Sequence, residues 1–390
     1  MIPHPLTFVP PRDTMLGLRV AAIVGGLAFL LGLFVAPERA WAGYLIGFTF
    51  FVGLALSGGL FISVLTLSNA RWATVLRRIP EAMSGTLPVA ALFGVALAGG
   101  VHSLYEWSHD SAVIADPILQ AKAPYLNSGF FLLRLVLFFS LWIWICRRLV
   151  RTSHAQDLDG DRRHSRERVR WAALFMPIFA VTFSLASIDW LKSIEPHWFS
   201  TIYGLVTLSG VGTSGLAVCI LLAVYLRRGP LRGVIRMDHL DDLGRIGIGL
   251  ALFWGYIWYC QWMLIWYTDM PEETPYYVLR AKGAWKHLMA ANLLLNWMIP
   301  FFALMPRAMR RSETALVRIA WVMLVGQALN LYMLVEPALM REGPVLGLWE
   351  IGPIVGLLSL FLWQTLRNLS GSPLVPVRDP TLRESLKHHV

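Results

Sequence analysis

The sequence predicts an all-α integral membrane protein of ten transmembrane helices, and three observations carry that reading. Apolar residues make up 56% of the 390-residue chain and charged ones only 15%, far from the balance of a soluble protein of this length. Apolar runs of about 20 residues recur from end to end, the length a helix needs to cross the hydrocarbon. Strands crossing a membrane would alternate apolar and polar residues over roughly ten positions, and that pattern is absent. Lipid offers the backbone no partner, so each crossing must satisfy its own polar groups as a helix.

In chain order the spans fall at 17–36, 44–67, 88–107, 125–147, 171–191, 203–226, 244–267, 285–305, 315–336 and 350–368. Pro88 suits the first turn of the third span, where a missing N–H costs little. Pro177, Pro300 and Pro353 lie within or near the starts of others, which membrane helices tolerate. Gly43 and Gly47, and again Gly352 and Gly356, have the four-residue spacing that lets helices approach closely.

The formal charge of +10 suggests nucleic acid until its distribution is considered. Of the 34 Lys and Arg, 26 fall in one alternate set of segments and 7 in the other, with Arg134 inside a span. That asymmetry is a topology signal, which places both termini in the cytoplasm and excludes a nucleic-acid site. Cys146, Cys219 and Cys260 all lie in spans with no CxxC, CxxCH or zinc spacing, which argues against covalent haem, iron–sulfur clusters and structural disulfides in this chain. The opening Met1-Ile2-Pro3-His4-Pro5 lacks the charged start and cleavage pattern of a signal peptide, so the first span is expected to remain. Asp157, Asp159 and Asp161 in the basic loop at 147–170 suggest a calcium loop, but Arg162 and Arg168 stand where the glycine and the bidentate glutamate belong. The tail after Leu369, with Pro373, Pro376 and Pro380, reads as extended and partner-facing. Trp41, Tyr44, Trp107, Trp190, Trp198, Tyr203, Trp266, Tyr267, Trp285 and Trp349 sit near outward span ends, where aromatic rings anchor at the headgroups.

Charges inside a membrane need a reason, because each costs about 2.5–3.5 kcal/mol at mid-bilayer. Arg134 lies about 13 Å into the fourth span and cannot readily lose its proton, so it must either reach outward or find a carboxylate. Asp189 and Glu106, at outward ends of neighbouring spans, are the candidates; His102, four residues before Glu106, would share its helix face. A second polar set comprises His287, Asn292 and Asn296 on the eighth span, Gln327, Asn330 and Glu336 on the ninth, and Thr213 and Ser214 on the sixth. It reads either as a half-channel open to the outside or as interhelical glue. His102 and His287 would have to face each other to hold a haem. No catalytic triad, phosphate loop or metal site is visible.

The stretch Ser187–Gly204, SIDWLKSIEPHWFSTIYG, resembles the Asp-Trp…Ser…Pro-x-Trp…Ser-Thr…Tyr-Gly segment of the F-type membrane subunit of alternative complex III, the bacterial quinol:cytochrome c oxidoreductase, within the NrfD-like (polysulfide-reductase membrane subunit) superfamily. The resemblance implies two four-helix bundles, at 44–191 and 203–336, flanked by spans 17–36 and 350–368, with a cytoplasmic tail at 369–390. It implies as partners a paralogous NrfD-like membrane subunit, an extracytoplasmic iron–sulfur subunit, and multihaem and monohaem c-type cytochromes, all set in membrane lipid of the bacterial inner membrane. Haem c and iron–sulfur clusters would belong to those partners, and this chain would bind no cofactor of its own, with quinone contact left open. Within the segment Trp190, Lys192, Glu195, Pro196, Trp198 and Tyr203 become candidates for docking the extracytoplasmic subunits. The Gly-His segment of the quinone-binding C-type paralogue has no counterpart here, His102 being the nearest residue. The expectation is therefore proton translocation or scaffolding beside that paralogue. A secondary transporter is the rival, although the paired inverted repeats of many transporters are not seen. A cofactor-free structural anchor is a third reading.

Overall fold

A computed structural model describes residues 6–389, so the signal-peptide reading of Met1–Pro5 lies outside the described residues. Among the described residues ten helices are long and apolar enough to cross a membrane. They are α1 (Arg12–Val35), α2 (Pro37–Leu67), α3 (Arg78–Leu104), α4 (Ser128–Asp159), α5 (Arg162–Ile194), α6 (Tyr203–Arg228), α7 (Met237–Thr268), α8 (Trp285–Leu304), α9 (Glu313–Leu339) and α10 (Leu348–Ser370). The protein is an all-α, ten-span, multi-pass membrane protein.

Helix starts are set by local chemistry. Asn127 caps α4 by accepting from the Phe130 amide at 2.8 Å, and Asp161 caps α5 by accepting from Arg163 at 2.8 Å. Pro37 occupies the first turn of α2. Between α4 and α5 the chain reverses at Gly160, whose φ of 74° favours a residue without a Cβ. The basic stretch at 147–170 is thus no loop. Both helices run on past the hydrocarbon through Arg, Gln and Glu, which favour helix without adding hydropathy.

α2 and α6 are the most enclosed spans, with 72% and 83% of their apolar cores buried. They meet at mid-depth, where the missing side chain of Gly215 admits Ser57. Around this pair α2–α5 pack on one side and α6–α9 on the other. α1 and α10 pack together, and α10 seats on α2. Both glycine pairs make these seams. A Cβ at Gly43 would stand 2.6 Å from the Trp349 carbonyl oxygen, and one at Gly356 would stand 2.9 Å from the Cα of Gly25.

Both described chain ends lie on the face that bears the basic segments, hereafter the basic face; Leu374 N–H donates to the Leu6 carbonyl at 2.8 Å. The tail folds back on this face instead of standing extended. The buried Asp379 is held between Arg77 and Arg168, the latter at 3.2 Å, and Thr381 meets Thr74 at 2.8 Å. Burial opposes ionisation of Asp379, but the two guanidiniums hold its pKa well below the usual carboxylate range. The aromatic anchors are also revised. Trp266 and Tyr267 are exposed at the end of α7, whereas Trp41, Tyr44, Trp107, Trp190, Trp198, Tyr203 and Trp285 are packed inside the chain.

Candidate functional site

Arg134 and Asp189 pair as the sequence predicts. Arg134 Nε and Nη2 donate to the two Asp189 carboxylate oxygens at 2.7 and 3.0 Å, and Nη1 donates to the Tyr125 carbonyl at 3.0 Å. The guanidinium lies over the rings of Tyr125 and Phe130, 3.9 and 4.3 Å from their centroids. Both charged side chains are buried. A bidentate pair with a third N–H on a carbonyl and two aromatic rings against the guanidinium is a clamp between α4 and α5.

Glu106 does not join this clamp. α3 ends at Leu104, Tyr105 is extended with φ −123° and ψ 118°, and Glu106 opens a separate 3₁₀ turn. The continuous helix needed to set His102 and Glu106 on one face is therefore missing, and both are exposed. Tyr105 turns inward in its place and donates to the Trp190 carbonyl at 2.8 Å. His102 pairs locally with Ser108 at 3.0 Å and packs against His109, while His287 is exposed on α8, so neither faces the other as haem ligands would.

The second polar set does converge. Asn292 donates to Asn330 at 3.3 Å, Asn330 to Gln327 at 3.4 Å, and Asn296 to the Asn292 side chain at 2.7 Å and the Gly326 carbonyl at 2.8 Å. All four amides are buried. Asn296 sits in a π-helical turn, Leu294–Met298, just ahead of Pro300; such bulges concentrate at functional sites. Gly210 on α6 makes room for Gln327, since a Cβ there would lie 2.6 Å from Gln327 Oε1.

Two small cavities extend this cluster. One, of about 20 Å³, is bordered by Asn292, Asn330, Gln261, Tyr277 and Arg280. The other, of about 30 Å³, is bordered by Asn330, Gln327, Ser214, Thr207 and Thr49. Each has room for a water or two. Tyr277 donates to Gln261 at 3.1 Å. Arg280 binds Glu195 at 2.7 Å and lies 3.5 Å over the Tyr276 ring. Burial works against the Arg280 charge, but Tyr276 and Glu195 hold its pKa above the ordinary value. The polar file thus runs from Glu195 and Arg280, on the face opposite the basic one, to Gln327 near the middle of α9. Beyond Gln327 the α9 side chains turned inward are Met323, Ala320, Ile319 and Leu316, all buried and apolar. Thr213 bonds back to the Ser209 carbonyl at 3.0 Å within α6.

Glu336 belongs elsewhere. It is fully buried, neither carboxyl oxygen has a hydrogen-bond partner among the described residues, and its charged neighbours are Glu350 and Arg39. Arg39 binds Glu350 through two bonds of 2.6 and 3.1 Å, and the Gly347 amide donates to Glu350 at 2.7 Å. Arg39 is thus paired with Glu350 alone, and Glu336 lies near that pair without bonding to it.

Most of the docking candidates are turned inward. Trp190, Pro196, Trp198 and Tyr203 are buried, and Trp198 stacks on Tyr276 at 3.9 Å. Lys192 is half-buried 6.0 Å from the Trp198 ring, and Glu195 is committed to Arg280. His197, Phe199 and Thr201 are what this segment presents outward. Sequence reasoning missed Arg39, Gln261, Tyr277, Arg280 and Glu350. Gln261, a lone amide inside an aromatic span, was the visible signal; the ion pairs join segments 85 and 311 residues apart and left none. Among the described residues no group of three or more His, Cys, Asp or Glu is placed to hold a metal. No family model matches the chain, and no curated protein matches it.

Proposed function

We propose that this chain is an integral membrane subunit of a quinol:cytochrome c oxidoreductase of the alternative complex III class, and that its second bundle conducts protons between mid-membrane and the extracytoplasmic side. The observation that carries the proton role is the buried polar file from Arg280 through Gln261, Asn292 and Asn330 to Gln327. Waters in such cavities relay protons while the side-chain amides orient them, and quinol oxidation releases protons that need such a route. Cavities of about 20 and 30 Å³ fall far below the several hundred Å³ of ordinary ligand pockets, which favours proton passage over quinone-headgroup contact. The segment Ser187–Gly204 supports the assignment to this complex. The charge asymmetry supports a cytoplasmic basic face and extracytoplasmic Glu195 and Arg280. Redox groups would lie in partner subunits, with exposed His197 and Phe199 available to the extracytoplasmic ones.

Affinity isolation from native membranes tests the assembly: c-type haem absorbance should accompany the chain, and isolation alone, without haem, overturns the complex. Gln327→Leu with Asn330→Leu tests the path. The protons released per quinol oxidised should fall in an assembled complex; an unchanged ratio overturns the relay.

A further inference from the structure

We propose that the basic face carries a binding site for the phosphate of an anionic phospholipid headgroup, in a cavity walled by α2, α5 and the C-terminal tail. The cavity, of about 520 Å³, is of ligand-pocket size. Five arginines border it, Arg71, Arg77, Arg162, Arg166 and Arg168, against one bordering carboxylate, Glu384. Arg71 is committed to Glu384 at 3.0 Å, and Arg77 and Arg168 to Asp379. Arg162 and Arg166 have no acidic partner among the described residues and are exposed. With Asp379 counted, the site keeps three uncompensated positive charges.

Two features favour a lipid over a soluble anion. Ile62, Leu65 and Val169 form an apolar wall at the ends of spanning helices, so the arginines stand at the water–hydrocarbon boundary where a headgroup lies. The first turns of α5 also face the cavity through Arg162, Ser165 and Arg166, which adds the positive end of a long helix. Basic pockets between spans on this side are suited to multiply charged headgroups. Pro380 and Thr381 close the cavity, so an occupant would also hold the tail in place. The site is independent of the proton path, which opens on the other face.

The test uses the purified full chain in nanodiscs of phosphatidylcholine with added cardiolipin or phosphatidylglycerol, with retained lipid read by native mass spectrometry. Arg162→Gln with Arg166→Gln should weaken anionic-lipid retention about 30-fold. Arg163→Gln with Arg170→Gln removes the same charge from exposed positions off the cavity and should leave retention unchanged. Equal losses in the two double variants, or none in either, overturn the site. Protection of the tail by inorganic phosphate with no lipid retained overturns the lipid occupant.

Discussion

Replacing Asp189 with Asn strips the charge from the Arg134 clamp while keeping its size. Arg134 would retain the Tyr125 carbonyl, two aromatic faces and one amide oxygen in place of a bidentate carboxylate. Breaking one side of a buried ion pair costs about 3–5 kcal/mol, because the remaining charge is left uncompensated. The surviving contacts place Asp189→Asn near the lower end, about 3 kcal/mol. At roughly 2 °C per kcal/mol for a large chain, the melting temperature should drop about 6 °C. Arg134→Leu with Asp189→Leu removes both charges from a buried site and should return to within about 1 kcal/mol of the parent. Thermal unfolding of the parent, Asp189→Asn, the two single leucine variants and the double leucine variant in one detergent and lipid mixture measures this. Single losses that simply add in the double variant would refute the clamp, as would an Asp189→Asn protein as stable as the parent.

Gly210→Ala should drive the Gln327 side chain from its place and slow proton transfer about tenfold or more while the melting temperature holds, as read by a pH dye during quinol-driven turnover. Asp379→Asn should release the C-terminal tail; about 3 kcal/mol of lost docking corresponds to roughly 100-fold faster hydrogen exchange in 376–389. Acid should act likewise. The folded-state pKa of Asp379 lies below its unfolded value, so its contribution is present above about pH 4 and is lost as pH falls from there toward the folded value. Gly356→Leu should prise α1 from α10 at a cost of about 1–3 kcal/mol, lowering thermal stability while the α4–α5 clamp stays intact.

The ten spans were legible because hydropathy marks where hydrocarbon must be. Their basic ends were not, because α4 and α5 continue as helix through residues that leave no apolar trace. Arg134 and Asp189 could be paired from sequence because a guanidinium that cannot neutralise itself has few partners to choose from. Glu106 was misjudged because a single extended residue, Tyr105, broke the assumed helix. The amides of α8 and α9 could be grouped by depth, but their link to Tyr277 and Arg280 depends on how a segment between spans folds over the bundle. Ring burial was equally hidden, since the amphipathic character of Trp suits a headgroup and a packed interior alike.

The seam between α1 and α10 bears on how the chain is made. Gly25 meets Gly352 and Gly356, more than 300 residues further along, and α1 has far less to hold on α2. During translation the first helix must wait in lipid until the last is threaded, and an apolar helix without a partner is exposed to premature association. Truncation before α10 would strand it there, so quality-control proteases should meet the shortened polypeptide with its leading helix undocked even when the central bundles have already condensed.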